Sequence, residues 1–284
     1  MRYRFKKRNL QDLNIDKMFS VKLFPLYLCG LISNEPKNVN KIVSLLLLFV
    51  SLASCADKYT IEGTSSVNGL DGKMLYLKQL EEGKWVKIDS AEVIHGAFSM
   101  KGPVDSVMMV SLYMGDESIM PIVLEDGDIH VTLSNTDLKA QGTPLNAALY
   151  EFIDRKNSLE ESIADLEQRE TRLVLDGADF EEVHARTLVE GDSLVNEMNR
   201  YVKTFISSNY ENVLGPSIFL MLCSSMPYPV MTPQIDDIIK DAPYSFKNHA
   251  YVREYLSKAR ENMKLIEEQR RMDQNVAEKA VAEK

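Results

Sequence analysis

Met120-Pro121-Ile122-Val123-Leu124-Glu125-Asp126-Gly127-Asp128-Ile129-His130-Val131-Thr132-Leu133 is the stretch that decides the fold. Met120, Ile122 and Leu124 alternate with their neighbours, and Ile129, Val131 and Leu133 alternate with His130, Thr132 and Ser134. A period of two is that of a strand with one buried face. Between the runs, Asp126-Gly127 supplies the positive φ angles of a tight turn, which predicts a hairpin.

The same period extends upstream. Phe98 and Met100 alternate with Ser99 and Lys101, and Val86 and Ile88 alternate with Lys87 and Asp89. Further strands are expected near Tyr59–Thr64, Lys73–Gln79 and Val107–Met114, separated by Asn68-Gly69, Asp71-Gly72, His95-Gly96 and Gly102-Pro103. Seven short strands predict an antiparallel sandwich or open barrel over residues 55–142.

Downstream the period changes to 3.6. Thr143 is the expected N-cap and Pro144 the first helical residue. Leu149, Phe152, Leu159, Ile163, Leu166 and Leu173 share a stripe that ends at Asp176-Gly177. A second helix is expected over Asp179–Ser208, with Val183, Leu188, Leu194, Met198, Val202, Phe205 and Ile206 inward. The pair makes an antiparallel hairpin. Shorter helices follow at Pro216–Ser224 and Pro233–Lys240, and a last one begins near Lys247. The fold class is α+β: a β domain, then a helical domain over 143–268. Residues 269–284 are polar and are expected to fray or be disordered.

Charge divides the chain elsewhere. Residues 1–54 hold Arg2, Arg4, Lys6, Lys7, Arg8, Lys17, Lys22, Lys37 and Lys41 against Asp12, Asp16 and Glu35, a net of +6. The whole chain carries −9, so the remaining 230 residues carry −15. An acidic body argues against nucleic acid, whose phosphates need a surplus of cations. A basic start before it is the pattern of an export signal. After Lys41 comes the apolar run Ile42–Val50, of signal-peptide length and shorter than the roughly 20 residues of a bilayer span.

Leu52-Ala53-Ser54-Cys55 follows and resembles a lipobox, the processing site of bacterial lipoproteins. The resemblance implies that the Cys55 thiol takes a diacylglyceryl group through a thioether and that the chain is cut between Ser54 and Cys55. The segment before Lys41 is long for a signal, and a start at Val39 would leave a compact one opening Asn40-Lys41-Ile42. Ala56-Asp57 after the cysteine implies a periplasm-facing anchor in the outer rather than the inner membrane.

Three cysteines restrict redox chemistry. Cys29 falls in the segment expected to be removed, Cys55 would be lipidated, and Cys223 closes the apolar run Ile218–Cys223, which suits an inert buried thiol. His95, His130, His184 and His249 are scattered without metal-ligand spacing, and Glu125, Asp126 and Asp128 fall short of a calcium loop and read as a solvated turn. No phosphate loop or nucleophile elbow is present, and no cofactor is expected.

The β half resembles domain-of-unknown-function family 4369, found at the front of thioredoxin-like and AhpC/TSA-type lipoproteins of Bacteroidetes-like bacteria. The resemblance lies in Tyr59–Gly63, Leu70–Leu77, Ile88–Ala91, Gly96–Gly102, Pro121–Ile129 and Gly142–Asn146, in that order. It covers roughly residues 57–150, and the later helices look like the spacer that often follows. Longer members continue into a thioredoxin domain bearing Trp-Cys-x-x-Cys. This chain has no such motif and its one tryptophan is Trp85, so exchange chemistry does not transfer. Asp89-Ser90-Ala91, Asp105-Ser106-Val107 and Asp192-Ser193-Leu194 resemble acceptors of Bacteroidetes-type O-glycosylation, at Ser90, Ser106 and Ser193. The expected function is that of a non-enzymatic, membrane-anchored lipoprotein serving as a binding or interaction module, with a protein partner in the envelope. The alternative is an accessory of a separate thioredoxin-like protein of thiol–disulfide or peroxide metabolism.

Overall fold

The computed structural model describes residues 57–81 and 83–282, with side chains through Asn275. Ser54, Cys55, Cys29 and the alternative start at Val39 lie outside them. The described residues form one compact unit.

Eight strands make two four-stranded sheets. They are β1 (Lys58–Ser65), β2 (Met74–Glu81), β3 (Lys84–Glu92), β4 (Ala97–Pro103), β5 (Met108–Met114), β6 (Glu117–Leu124), β7 (Gly127–Leu133) and β8 (Leu138–Gln141). One sheet has the order β4-β1-β7-β8, the other β3-β2-β5-β6. The alternating residues meet between them: Tyr59 and Ile61, Leu75 and Leu77, Phe98 and Met100, Val110 and Leu112, Ile129 and Val131 are all buried. The result is a sandwich, open rather than closed into a barrel.

The hairpin expected at Asp126-Gly127 does not form. β6 ends one sheet, while β7 lies in the other, parallel to β1 and antiparallel to β8. Alternation identifies a strand but not its partner. Here Gly127, at φ 120°, opens β7 across the gap, and the Asp126 carboxylate accepts from the Lys58 N–H at 2.8 Å. β8 was missing from the expected seven strands because Leu138–Gln141 is short and buries only Ala140. Val86 and Ile88, expected to alternate with exposed neighbours, are themselves exposed, because β3 is an edge strand whose register slips at a bulge beside Leu77.

The helices are α1 (Pro144–Leu175), α2 (Phe180–Ser208), α3 (Leu214–Ser224), α4 (Pro233–Lys240), α5 (Tyr244–Asn248) and α6 (Ala250–Ala282). Asp179 caps α2 by accepting from the Glu182 N–H at 3.0 Å. One apolar core runs from the sheets through Leu149, Tyr150 and Phe152 of α1 and Val202 and Ile206 of α2 into α3–α6. Phe152 lies between Tyr201 and Phe205, and Phe219 meets Phe246 and Tyr255 edge-on.

Farther along the hairpin, Leu159, Leu166 and Val183 are buried outside that core and pack within the α1–α2 pair. We call this distal part the arm. Leu173 and Leu188, placed inward by periodicity, are exposed there, Leu188 at 56%, since two helices alone cover only one narrow seam of each other. The last helix begins at Ala250 rather than Lys247, because the extended backbone of His249 separates α5 from α6. It continues through Ala282 where fraying was expected from Gln269. Glu, Lys, Arg, Gln and Ala favour the helix, and Glu254–Lys258 and Glu267–Arg271 pair one turn apart. Among the described residues, no helix is long and apolar enough to cross a membrane.

Candidate functional site

The two halves are joined at one end of the sandwich, where β1 and β7 begin and β6 and β8 end. We call this end the foot. Asn146, in the first turn of α1, is fully buried. Its Oδ1 accepts from the Val123 N–H at 2.9 Å and its Nδ2 donates to the Val123 carbonyl at 2.7 Å. The side-chain amide thus takes the place of a neighbouring strand along the free edge of β6. One helical turn on, the Tyr150 hydroxyl donates to the Pro121 carbonyl at 2.9 Å. Pro121 has no N–H, so this edge needs no donor partner there. The edge is closed against further pairing.

Glu125 completes the clamp. It is buried, not part of a solvated turn, and its Oε1 accepts from the N–H groups of Leu145 at 2.9 Å and Asn146 at 3.1 Å. Thr143 holds the N-cap position as expected, but Glu125 supplies the capping bonds, because the Thr143 hydroxyl makes none and accepts instead from Asn146 Nδ2 at 2.9 Å. A carboxylate at a helix N-terminus also meets the positive end of the helix dipole. Gly142 precedes it at φ 102°, and a Cβ there would sit 2.3 Å from the Asp128 carbonyl oxygen.

Beside the clamp opens a cleft of about 490 Å³, in the size range of small-ligand sites. Val107, Leu145, Val213, Pro216 and Phe246 give it apolar walls, and Tyr210, Glu211, Asn212, Ser245 and His249 give it polar groups. The Tyr210 hydroxyl donates to the Ile238 carbonyl at 2.6 Å, and burial raises its pKa. Ser245 Oγ donates to Glu211 at 2.9 Å, so the serine proton is directed to a carboxylate and no hydrogen bond links it to His249. His249 Nδ1 is buried without a partner, alone in this among side-chain polar atoms of the described residues, and burial lowers the imidazole pKa. A neutral ring in apolar walls suits holding a largely apolar molecule by a few hydrogen bonds.

Residues 59–149 match the family model described as a domain of unknown function, DUF4369. The β half is a DUF4369 domain. The match runs through the sandwich and past Asn146 to Leu149, so two of the runs quoted from the sequence, Pro121–Ile129 and Gly142–Asn146, meet at the foot of the DUF4369 domain. The family description names no activity. A search of curated proteins finds no match.

The sequence-derived sites are not brought together. Ser54 and Cys55 lie outside the described residues. Ser90 is half-buried on β3 of the DUF4369 domain, and the Asp89 before it is engaged by the Tyr59 hydroxyl at 2.8 Å and by the Ser90 N–H at 2.7 Å. Ser106 is exposed between β4 and β5, and Ser193 is exposed on α2. His95 is an exposed turn residue at φ 52°, His130 faces Glu62 at 3.9 Å, and His184 pairs with Glu170 at 2.9 Å. Cys223 is buried, and burial pushes its thiol up to about 12 against the opposing pull of a Tyr255 hydrogen bond. Among the described residues, no three His, Cys, Asp or Glu side chains are grouped to hold a metal ion.

Sequence reading missed the clamp and the cleft. A glutamate in Glu-Asp-Gly-Asp reads as a turn residue, and an asparagine inside a first helical turn carries no sign of the strand it will serve.

Proposed function

We propose that the protein is a lipid-anchored lipoprotein of the cell envelope that binds a ligand or partner rather than transforming one. Cys55 is the acylated residue, Ser54–Cys55 the cleavage site, and the folded body faces the periplasm. The observation that carries the anchor is the order of elements before Asp57: Lys41, the apolar run Ile42–Val50, small Ala53 and Ser54, then Cys55. Two or more acyl chains would hold the body stably, since each buried methylene contributes about 0.8 kcal/mol. Binding is supported by the cleft, where apolar walls surround hydrogen-bonding groups that are not arranged as nucleophile and base.

Metabolic labelling with an alkynyl fatty acid tests the anchor. The native chain should take the label and fractionate with membranes, and Cys55→Ser should lose both properties. Equal membrane association of the two would end the proposal. O-glycosylation at exposed Ser193 belongs to the same reading. An intact mass free of sugar additions would remove that part alone.

A further inference from the structure

We infer that the protein stands with the foot of its sandwich on the bilayer surface and the α1–α2 arm directed away from it. The inference rests on acylation of Cys55 and adds a pose, which acylation alone does not set. Lipoprotein bodies on long flexible linkers have no fixed pose, and here there is almost no linker. One residue, Ala56, separates Cys55 from Asp57, and the two residue steps between them span at most about 7 Å. Asp57 is already held: its carbonyl accepts from the Val104 N–H at 2.9 Å, and the next N–H, of Lys58, donates to Asp126 at 2.8 Å. Whatever holds Cys55 therefore holds the foot.

The exposed residues at that end are those the headgroups would meet. Asp57, Lys58, Asp105, Ser106, Val107, Asp126 and Asp128 are all exposed there. With four aspartates to one lysine this surface is acidic, so anionic lipid repels it and the anchor alone imposes the contact. The cleft shares the position. Val107 follows Val104 by three residues, and Leu145 hangs from Glu125 at 2.9 Å.

The arm lies at the other pole. α1 starts at the foot and runs antiparallel to β6, from Asn146 beside Val123 to Tyr150 beside Pro121, and on past β8 to Asp154 beside Lys139 at 3.4 Å. Its 32 residues rise about 48 Å, while the eight residues of β1 cover about 26 Å, so the arm outruns the sandwich by roughly 20 Å. Between residues 157 and 199 there are twelve acidic side chains and three basic ones. An anionic leaflet repels such a segment as it does the foot, but only the foot is held by the anchor, so the arm turns away. The arm end, where Leu175 and Phe180 are both exposed, is thereby presented to the aqueous side.

The test uses the lipidated full chain in vesicles of phosphatidylethanolamine and phosphatidylglycerol carrying a nitroxide quencher at headgroup depth. In a Trp85→Phe background, Val107→Trp and Leu175→Trp each place a single tryptophan at an already exposed position. Fluorescence should be lost at position 107 and retained at position 175. A flexible spacer of about ten residues inserted between Ala56 and Asp57 should restore fluorescence at position 107. Quenching at 175 equal to that at 107, quenching at neither, or no recovery with the spacer would overturn the pose. The mass of the Cys55 peptide is measured on the same sample. An unmodified Cys55 overturns the anchor and the pose together, whereas a lipidated chain still bright at position 107 overturns the pose alone.

Discussion

The foot and the arm are both places where helix α1 meets a partner, and they are held in opposite ways. At the foot, α1 meets β6 through a buried amide and carboxylate whose hydrogen bonds are directional and satisfied. In the arm, α1 meets α2 through a thin apolar seam of Leu159, Leu166 and Val183, flanked by surface pairs such as Arg169–Glu190. Exposed pairs of that kind contribute about 0–1 kcal/mol each. The foot therefore fixes one geometry, whereas the arm is held by contacts that allow local opening.

That contrast breaks most sharply at Asn146. Asn146→Ala should lower stability by about 3 kcal/mol, since it leaves the Val123 N–H and carbonyl buried without partners and opens a cavity. A urea midpoint within about 0.5 kcal/mol of the parent would mean that the clamp is incidental. Glu125→Ala should cost about 2 kcal/mol through loss of the α1 cap, and Glu125→Gln, which keeps an acceptor, distinctly less. Equal losses in the two would show that shape rather than hydrogen bonding matters there.

Leu166→Ala should cost about 2 kcal/mol but locally. Amide exchange should accelerate over residues 157–199 while the sandwich amides keep their protection. Uniform acceleration would show that the arm and foot unfold as one. His249 bears on pH. Its pKa is lowered in the folded state, so the unfolded chain binds the proton more readily below about 6.5, and stability falls as pH drops through the unfolded value toward the folded one. The difference in urea midpoint between pH 7 and pH 5 should be smaller in His249→Gln than in the parent; an unchanged difference would acquit the imidazole. At the arm end, Phe180→Ala should change global stability by less than about 0.5 kcal/mol, because the ring is half in solvent.

What the sequence discloses follows the physics of each element. Alternation at Ile129, Val131 and Leu133 reports a local period, so strands were legible. So were the bounds of α1 and α2, punctuated by Asp176-Gly177 and Asp179. Pairing is set by distant residues, which is why Asp126-Gly127 suggested a hairpin and delivered a crossing between sheets. Burial misled where a periodic stripe outran its partner, as at Leu173 and Leu188. Within the candidate site, Pro216 was legible as part of a helix. The roles of Glu125 and Asn146 were not, because each depends on a residue about twenty positions away.

The amide of Asn146 also bears on what counts as a unit of inheritance. The last strand of the sandwich ends at Gln141, yet a sheet cut there would keep an open β6 edge able to recruit another chain. The segment that shields it is the opening of the next helix, so the domain folds without an open edge only when a few residues of its neighbour travel with it. The family match accordingly runs on beyond the strands to Leu149 and takes Asn146 with it.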